Sequence, residues 1–113
     1  MRKMVFAVVV LGALGAVGVA RAGDDLREIH AEFERRCGVC HGANGQGDGP
    51  AAVALSPKPR NFSDKELMAT IDDARLRKSI SEGRPGTPMV GYKGILTEKQ
   101  IDEMIRLIRS FVR

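Results

Sequence analysis

The chain has no tryptophan, one tyrosine and four phenylalanines. Its 113 residues suffice for one small domain, and a small domain buries a low share of its surface. With so few large side chains to fill its middle, this one is expected to need a bound group to complete its core. Past the N-terminal segment there is no clean alternating pattern, which argues against a sheet, and no internal repeat, which argues against a stacked array. Charge is weak as well. Three of the eighteen basic residues (Arg2, Lys3 and Arg21) fall in the first 22 positions. Without them the basic count is close to the fourteen acidic residues. A near-neutral domain gives no reason to propose nucleic acid as a partner.

That first segment has the marks of an export signal. Arg2 and Lys3 precede an uncharged run from Met4 to Ala20, and Ala20-Arg21-Ala22 matches a small-x-small cleavage site. Residues 1–22 are therefore expected to be a signal peptide and residues 23–113 the working domain. An uncleaved anchor is the competing reading. The 17-residue run is slightly short of the roughly 18 residues of a spanning helix, and it holds Gly12, Gly15 and Gly18.

Four helical segments follow. Leu26, Ile29, Phe33 and Cys37 recur at spacings of three and four, predicting a helix from Asp24 to about Cys37. Ser63-Asp64-Lys65-Glu66 has the capping-box pattern and opens a short helix to about Thr70. Asp72 or Asp73 caps a third, with Leu76 and Ile80 inward and Gly83 as its stop. Thr97-Glu98-Lys99-Gln100 is a second capping box, ahead of a stripe of Ile101, Met104, Ile105, Ile108, Phe111 and Val112. Between them, 38–62 and 84–94 are rich in glycine and proline and read as long loops. Loops of this kind inside a compact domain are usually functional.

The chemistry sits in Cys37-Gly38-Val39-Cys40-His41, a C-x-x-C-H motif. This is the attachment signature for haem. Two thiols add to the two vinyl groups on one porphyrin edge, and the adjoining imidazole reaches the iron as a ligand. Other uses of the residues are weaker. A thiol–disulfide exchange motif belongs to strand–helix–strand units, which are missing here. A zinc site would have to recruit His30 as its fourth ligand, because no other histidine or cysteine exists. A disulfide between cysteines three apart would close a tiny loop and contribute little constraint. Gly45, Gly47 and Gly49 follow no strand and have the wrong spacing for a nucleotide loop. They are expected to permit tight turns.

Phe33, Cys37, Cys40 and His41, together with Gly86-Thr87-Pro88-Met89, resemble the class I c-type cytochromes, in particular small bacterial monohaem ones. The resemblance covers the chain after residue 22 and extends to Gly47-Asp48-Gly49-Pro50 and Pro57-Lys58-Pro59-Arg60-Asn61-Phe62. It implies an N-terminal helix crossed by a C-terminal one, with a methionine from a late loop as the second iron ligand. It also implies that a backbone carbonyl beside a proline holds the other nitrogen of His41. Pro50, Pro57 and Pro59 compete for that place. Where the family often has a tyrosine at the helix crossing, Leu107 stands nearby.

Among the possible sixth ligands, Met104 lies on the apolar stripe and Met68 on a short capped helix, where methionine is ordinary filler. His30 precedes Cys37 on the same helix and cannot easily reach the opposite haem face. Met89 follows Pro88 in a loop and can be aimed at iron. The expected assembly is an all-α, cytochrome c-like fold of three to five helices around one covalent haem. Cys37, Cys40, His41 and Met89 hold that haem, and His41 and Met89 ligate its iron. With both axial positions filled the protein is read as a carrier rather than an enzyme: a monomeric periplasmic one-electron shuttle between redox proteins of a respiratory or related chain, free of the membrane once the signal is cut. A cytochrome subunit of a periplasmic oxidoreductase complex and a ligand-binding haem protein with displaceable Met89 are the alternatives. Lys58, Arg60, Arg84 and Lys93 are candidates to face an acidic patch on a partner, with ordinary solvated charge as the competing reading.

Overall fold

The computed structural model describes residues 7–10, 12–13, 15–16, 18 and 22–113. Arg2, Lys3 and Arg21 lie outside the described residues, and so does most of the Ala20-Arg21-Ala22 motif. The regular elements are α1 (Ala22–Arg36), α2 (Gly38–His41), a 3-10 turn (Ala52–Ala54), α3 (Lys65–Ala69), α4 (Asp73–Glu82) and α5 (Glu98–Ser110). Among the described residues there is no strand, only a lone bridge between Lys93 and Leu96. The all-α expectation is met.

α1 carries Asp24 and Asp25 in its first turn and Arg35 and Arg36 in its last. Both placements suit the helix dipole. It buries Ile29 and Phe33 against the stripe of α5, where Ile101 and Met104 are fully enclosed. Leu26, expected on the same inner face, is instead 59% exposed. Asp25, Glu28, Ile29 and Glu32 line a groove with Thr97, Lys99 and Gln100, so the face turned toward α5 passes Asp25 and leaves Leu26 on its flank. The helix expected from Asp24 to about Cys37 is otherwise found: α1 ends at Arg36, and α2 begins just after Cys37.

The caps explain the remaining boundaries. Thr97 and Gln100 form both arms of the predicted capping box, at 2.9 and 3.1 Å. Asp72 caps α4 by accepting from the Arg75 N–H at 2.8 Å, and Gly83 ends it at φ 73°. At α3 the cap is Asp64, not Ser63: its carboxylate accepts from the Leu67 N–H at 3.0 Å. Ser63 is already engaged. Its N–H and hydroxyl both donate to the Asn61 side chain, at 2.9 and 2.6 Å.

The α1–α5 crossing is closed by an aromatic pair at an unexpected position. Leu107 is buried, but the ring that meets Phe33 belongs to Phe111, with centroids 5.2 Å apart and planes tilted by 51°. One basic side chain then ties α5 to the middle of the chain. Arg109 donates from Nη1 to the Met68 carbonyl at 2.9 Å, from Nη2 to the Ile71 carbonyl and from Nε to the Asp73 carboxylate at 2.9 Å. The Met68 carbonyl also accepts from the Ile71 N–H at 3.3 Å, so the guanidinium adds a second donor there while it bridges the α3–α4 connection to α5. Replacing it removes these charge-assisted bonds, at a cost of about 1.5–3 kcal/mol. Arg109→Met is therefore expected to lower the denaturation midpoint of the holoprotein clearly, and an unchanged guanidinium unfolding curve would contradict that role.

Candidate functional site

A cavity of about 430 Å³ opens beside α2. Cys37, Cys40 and His41 form part of its wall, and Met89 reaches it from the 84–94 loop. Its apolar lining comes from every part of the chain: Phe33, Leu55, Phe62, Ile71, Leu76, Ile80, Met104 and Ile108. All four residues singled out from the motif and the late loop therefore face one space. His30 is not among the lining residues, nor is Met68, which is 2% exposed and packed in the core. Met104 is different. It is fully buried as expected of a core residue, yet it also touches the cavity.

Local backbone geometry places the motif. The break after α1 turns the chain so that Cys37 accepts from the Cys40 and His41 N–H groups at 3.2 and 2.8 Å. Both cysteines are unpaired and half-buried. Burial pushes the Cys37 thiol up to about 11. An exchange motif needs the opposite, a thiol lowered toward thiolate, so the environment disfavours that use.

His41 is held on two sides. Its Nδ1 lies 3.2 Å from the carbonyl oxygen of Arg60, the residue after Pro59, so the Pro59 end of the loop meets His41 rather than Pro50 or Pro57. Its ring stacks on Phe62, with centroids 4.5 Å apart and planes 17° from parallel. Burial lowers the His41 pKa, against the raising effect of the Arg60 carbonyl, which favours the neutral ring. When Nδ1–H donates to that carbonyl, the lone pair on Nε2 is free for a metal. Glycine makes this clamp possible. Gly47 sits at φ 76°, and a Cβ there would come within 2.7 Å of the Pro59 carbonyl. Gly45, at φ 69°, packs under the Phe111 ring while its carbonyl accepts from the Phe62 N–H at 2.6 Å.

Met89 sits in a loop pinned along its backbone. Its carbonyl accepts from the Arg84 N–H at 3.0 Å, and its own N–H donates to the Thr87 hydroxyl at 3.2 Å. The Tyr92 and Lys93 N–H groups donate to the Ile80 and Ser81 carbonyls of α4, at 2.8 and 3.0 Å. The segment thus folds back on α4.

Among the described residues the cavity wall carries Arg36, Lys58, Arg60, Arg75 and Arg84 and no acidic side chain. Burial and the nearby Arg75 and Arg84 guanidiniums lower the Arg60 pKa, so these cations converge on one region. A group with a flat apolar body, two carboxylates and an iron accepting a neutral imidazole fits this lining. Sequence reasoning missed Phe62, Arg75 and Tyr92 as wall residues. Phe62 left a signal in the family-like stretch that ends with it, and Tyr92 left one as the sole tyrosine, three residues after Met89.

Comparison with known proteins agrees. The family model for cytochrome c matches residues 27–111. Cytochrome c55X of Stutzerimonas stutzeri is 37% identical over 100 residues, covering 85% of this chain and 77% of that protein. Cytochrome c oxidase subunit 2 of Bacillus sp. (strain PS3) is 31% identical over 90 residues, which is 74% of this chain but only 25% of the subunit. Among solved structures, the KustC0563 c-type cytochrome superposes with a TM-score of 0.65 at 27% identity, covering 74% of this chain and 96% of that one. The Kuenenia stuttgartiensis reducing HAO-like protein complex Kustc0457/Kustc0458 gives 0.63 at 30% identity, over 75% of this chain and 41% of that one. The chain belongs to the cytochrome c family, and its cofactor is covalently bound haem c with iron.

Proposed function

We propose that this protein is a one-electron carrier whose haem is attached through Cys37 and Cys40 and whose iron is ligated by His41 and Met89. The observation that carries the proposal is convergence: a helix end and a loop from opposite parts of the sequence bring these four side chains to one cavity. When bound, the haem supplies a one-electron ferric/ferrous couple. The protein's part is to hold both axial donors in place, exclude water with the apolar wall and set charge around the site. A thioether ligand raises the potential relative to a second nitrogen ligand. With both His41 and Met89 on the iron, no open coordination site would remain, which supports transfer over catalysis.

Two methionines touch the cavity, and their settings distinguish them. Met104 belongs to the buried stripe of α5, whereas Met89 lies in a loop folded onto α4. Met89→Ala is expected to abolish the weak near-infrared sulfur-to-iron band of the oxidised protein, and Met104→Leu to keep it. The reverse pattern would move the ligand to α5.

The reading places residues 1–22 as a cleaved signal and residues 23–113 as the cytochrome domain, acting in the periplasm as a monomer. The residue pattern of this segment supports that: Arg2 and Lys3, the uncharged run from Met4 to Ala20, and Ala20-Arg21-Ala22. A second reading, a subunit with a fixed partner, is favoured by the solved neighbour that is part of a complex. For the partner, the cationic side of the cavity supports an acidic docking surface. Lys58 is a weaker contributor than the sequence suggests, since its ammonium donates to the Ala52 and Val53 carbonyls at 2.9 and 3.1 Å. Exposed Val39, Val53 and Val90 provide apolar contact of the kind that small transient redox interfaces use. Electron transfer to the native partner is expected to slow as salt screens the pair; a rate that is flat or rises with ionic strength would overturn the acidic-partner assignment.

A further inference from the structure

α1 ends at Arg36, and a helix end leaves carbonyls without intrahelical partners. Phe33 has a local partner in the Cys37 N–H, at 2.7 Å. Arg36 takes its partner from far along the chain: the Tyr92 hydroxyl donates to the Arg36 carbonyl at 3.2 Å, across a separation of 56 residues. Arg36 directly precedes Cys37, and Tyr92 is three residues from Met89. Among the described residues this is the one hydrogen bond joining the 84–94 loop to α1. The loop's other backbone anchors run to itself or to α4.

We propose that Tyr92 is a positioning residue, a latch that fastens the Met89 loop to the end of α1 and so controls how readily Met89 leaves the haem. The inference rests on Met89 as the proposed axial ligand. The loop has two kinds of attachment. Those to α4 are two main-chain bonds and one long side-chain contact, from Arg84 Nη1 to the Ser79 hydroxyl at 3.4 Å. The bond to α1 depends on one hydroxyl, on a ring that packs against the core and lines the cavity. An outside ligand reaches iron only after Met89 withdraws. Its apparent affinity is the intrinsic affinity scaled by the fraction of protein in the open state. If withdrawal breaks the Tyr92 bond, removing the hydroxyl raises that fraction. At 3.2 Å the bond is long for a hydroxyl donor, so its weight is that of one modest neutral hydrogen bond. That corresponds to about a two- to tenfold change. The latch therefore tunes displacement of Met89 and does not by itself decide which ligand is bound.

Tyr92→Phe removes the hydroxyl and keeps the ring. In the oxidised holoprotein it should preserve the sulfur-to-iron band yet let imidazole displace it at a concentration lower by about two- to tenfold. Hydrogen exchange at the loop amides of Arg84, Thr87 and Met89 should quicken by a similar factor. Arg109→Met provides the control, since it weakens the fold without touching this loop. It should leave imidazole affinity unchanged. Unaltered imidazole affinity and loop exchange in Tyr92→Phe would overturn the latch, as would an equal rise in Arg109→Met, which would mean general loosening. Should Met89→Ala retain the sulfur band, the ligand reading fails separately. Loop exchange in Tyr92→Phe then still decides whether the hydroxyl fastens the loop.

Discussion

The structure depends on an apolar cavity that the polypeptide cannot fill. Phe33, Phe62, Ile80, Met104 and Ile108 each present a surface to it, and these residues also belong to the core cluster. The core and the site are therefore one body. α1 and α5 cross at Phe33 and Phe111, α4 leans on α5, and α2 and the long loops complete the wall. In a chain with no tryptophan, the haem plane takes the place of the large aromatic side chains that another small domain would use. Covalent attachment through two thiols keeps that filler from being lost.

The proposed ligands are held by different means. His41 is set rigidly. A carbonyl fixes its tautomer, Phe62 supports its face, and two glycines in left-handed conformations let the 59–62 segment press against it. Met89 is set by a loop that clings to α4 through its backbone and to α1 through one hydroxyl. That asymmetry would suit the proposed ligation, in which His41 would be the fixed donor and the loop would limit exchange of Met89. Among the described residues the cavity wall carries five cations and no acidic side chain, the charge that the proposed acidic partner would meet.

Much of this was legible in the residues. The C-x-x-C-H spacing has a chemical cause that few other uses share, and the caps at Asp72 and Thr97 follow from local hydrogen bonding alone. Sequence reading erred where tertiary packing decides between neighbours. Leu26 fits the helical period of Ile29 and Phe33, yet it is exposed because α5 meets α1 on the Asp25 side. Ser63 fits a cap, but Asn61 takes its hydrogen bonds first. Phe111, not Leu107, supplies the ring at the crossing: it keeps helical dihedrals just past Ser110 and so stays on the inner stripe of α5 that meets Phe33. The choice among Pro50, Pro57 and Pro59 needed the loop's path, which depends on where Gly45 and Gly47 bend it.

Removing the haem tests the central claim most directly. An empty space of about 430 Å³ at about 24 cal/mol per Å³ would cost about 10 kcal/mol. That is comparable to the whole stability of a small domain, about 5–15 kcal/mol, even before the open mouth of the cavity discounts it. The measurement is thermal unfolding, followed by circular dichroism, of the chain carrying Cys37→Ala and Cys40→Ala and purified without haem. The account predicts a largely disordered chain with no cooperative transition. A cooperative transition with native-like helix content would contradict it and show that the polypeptide completes its own core.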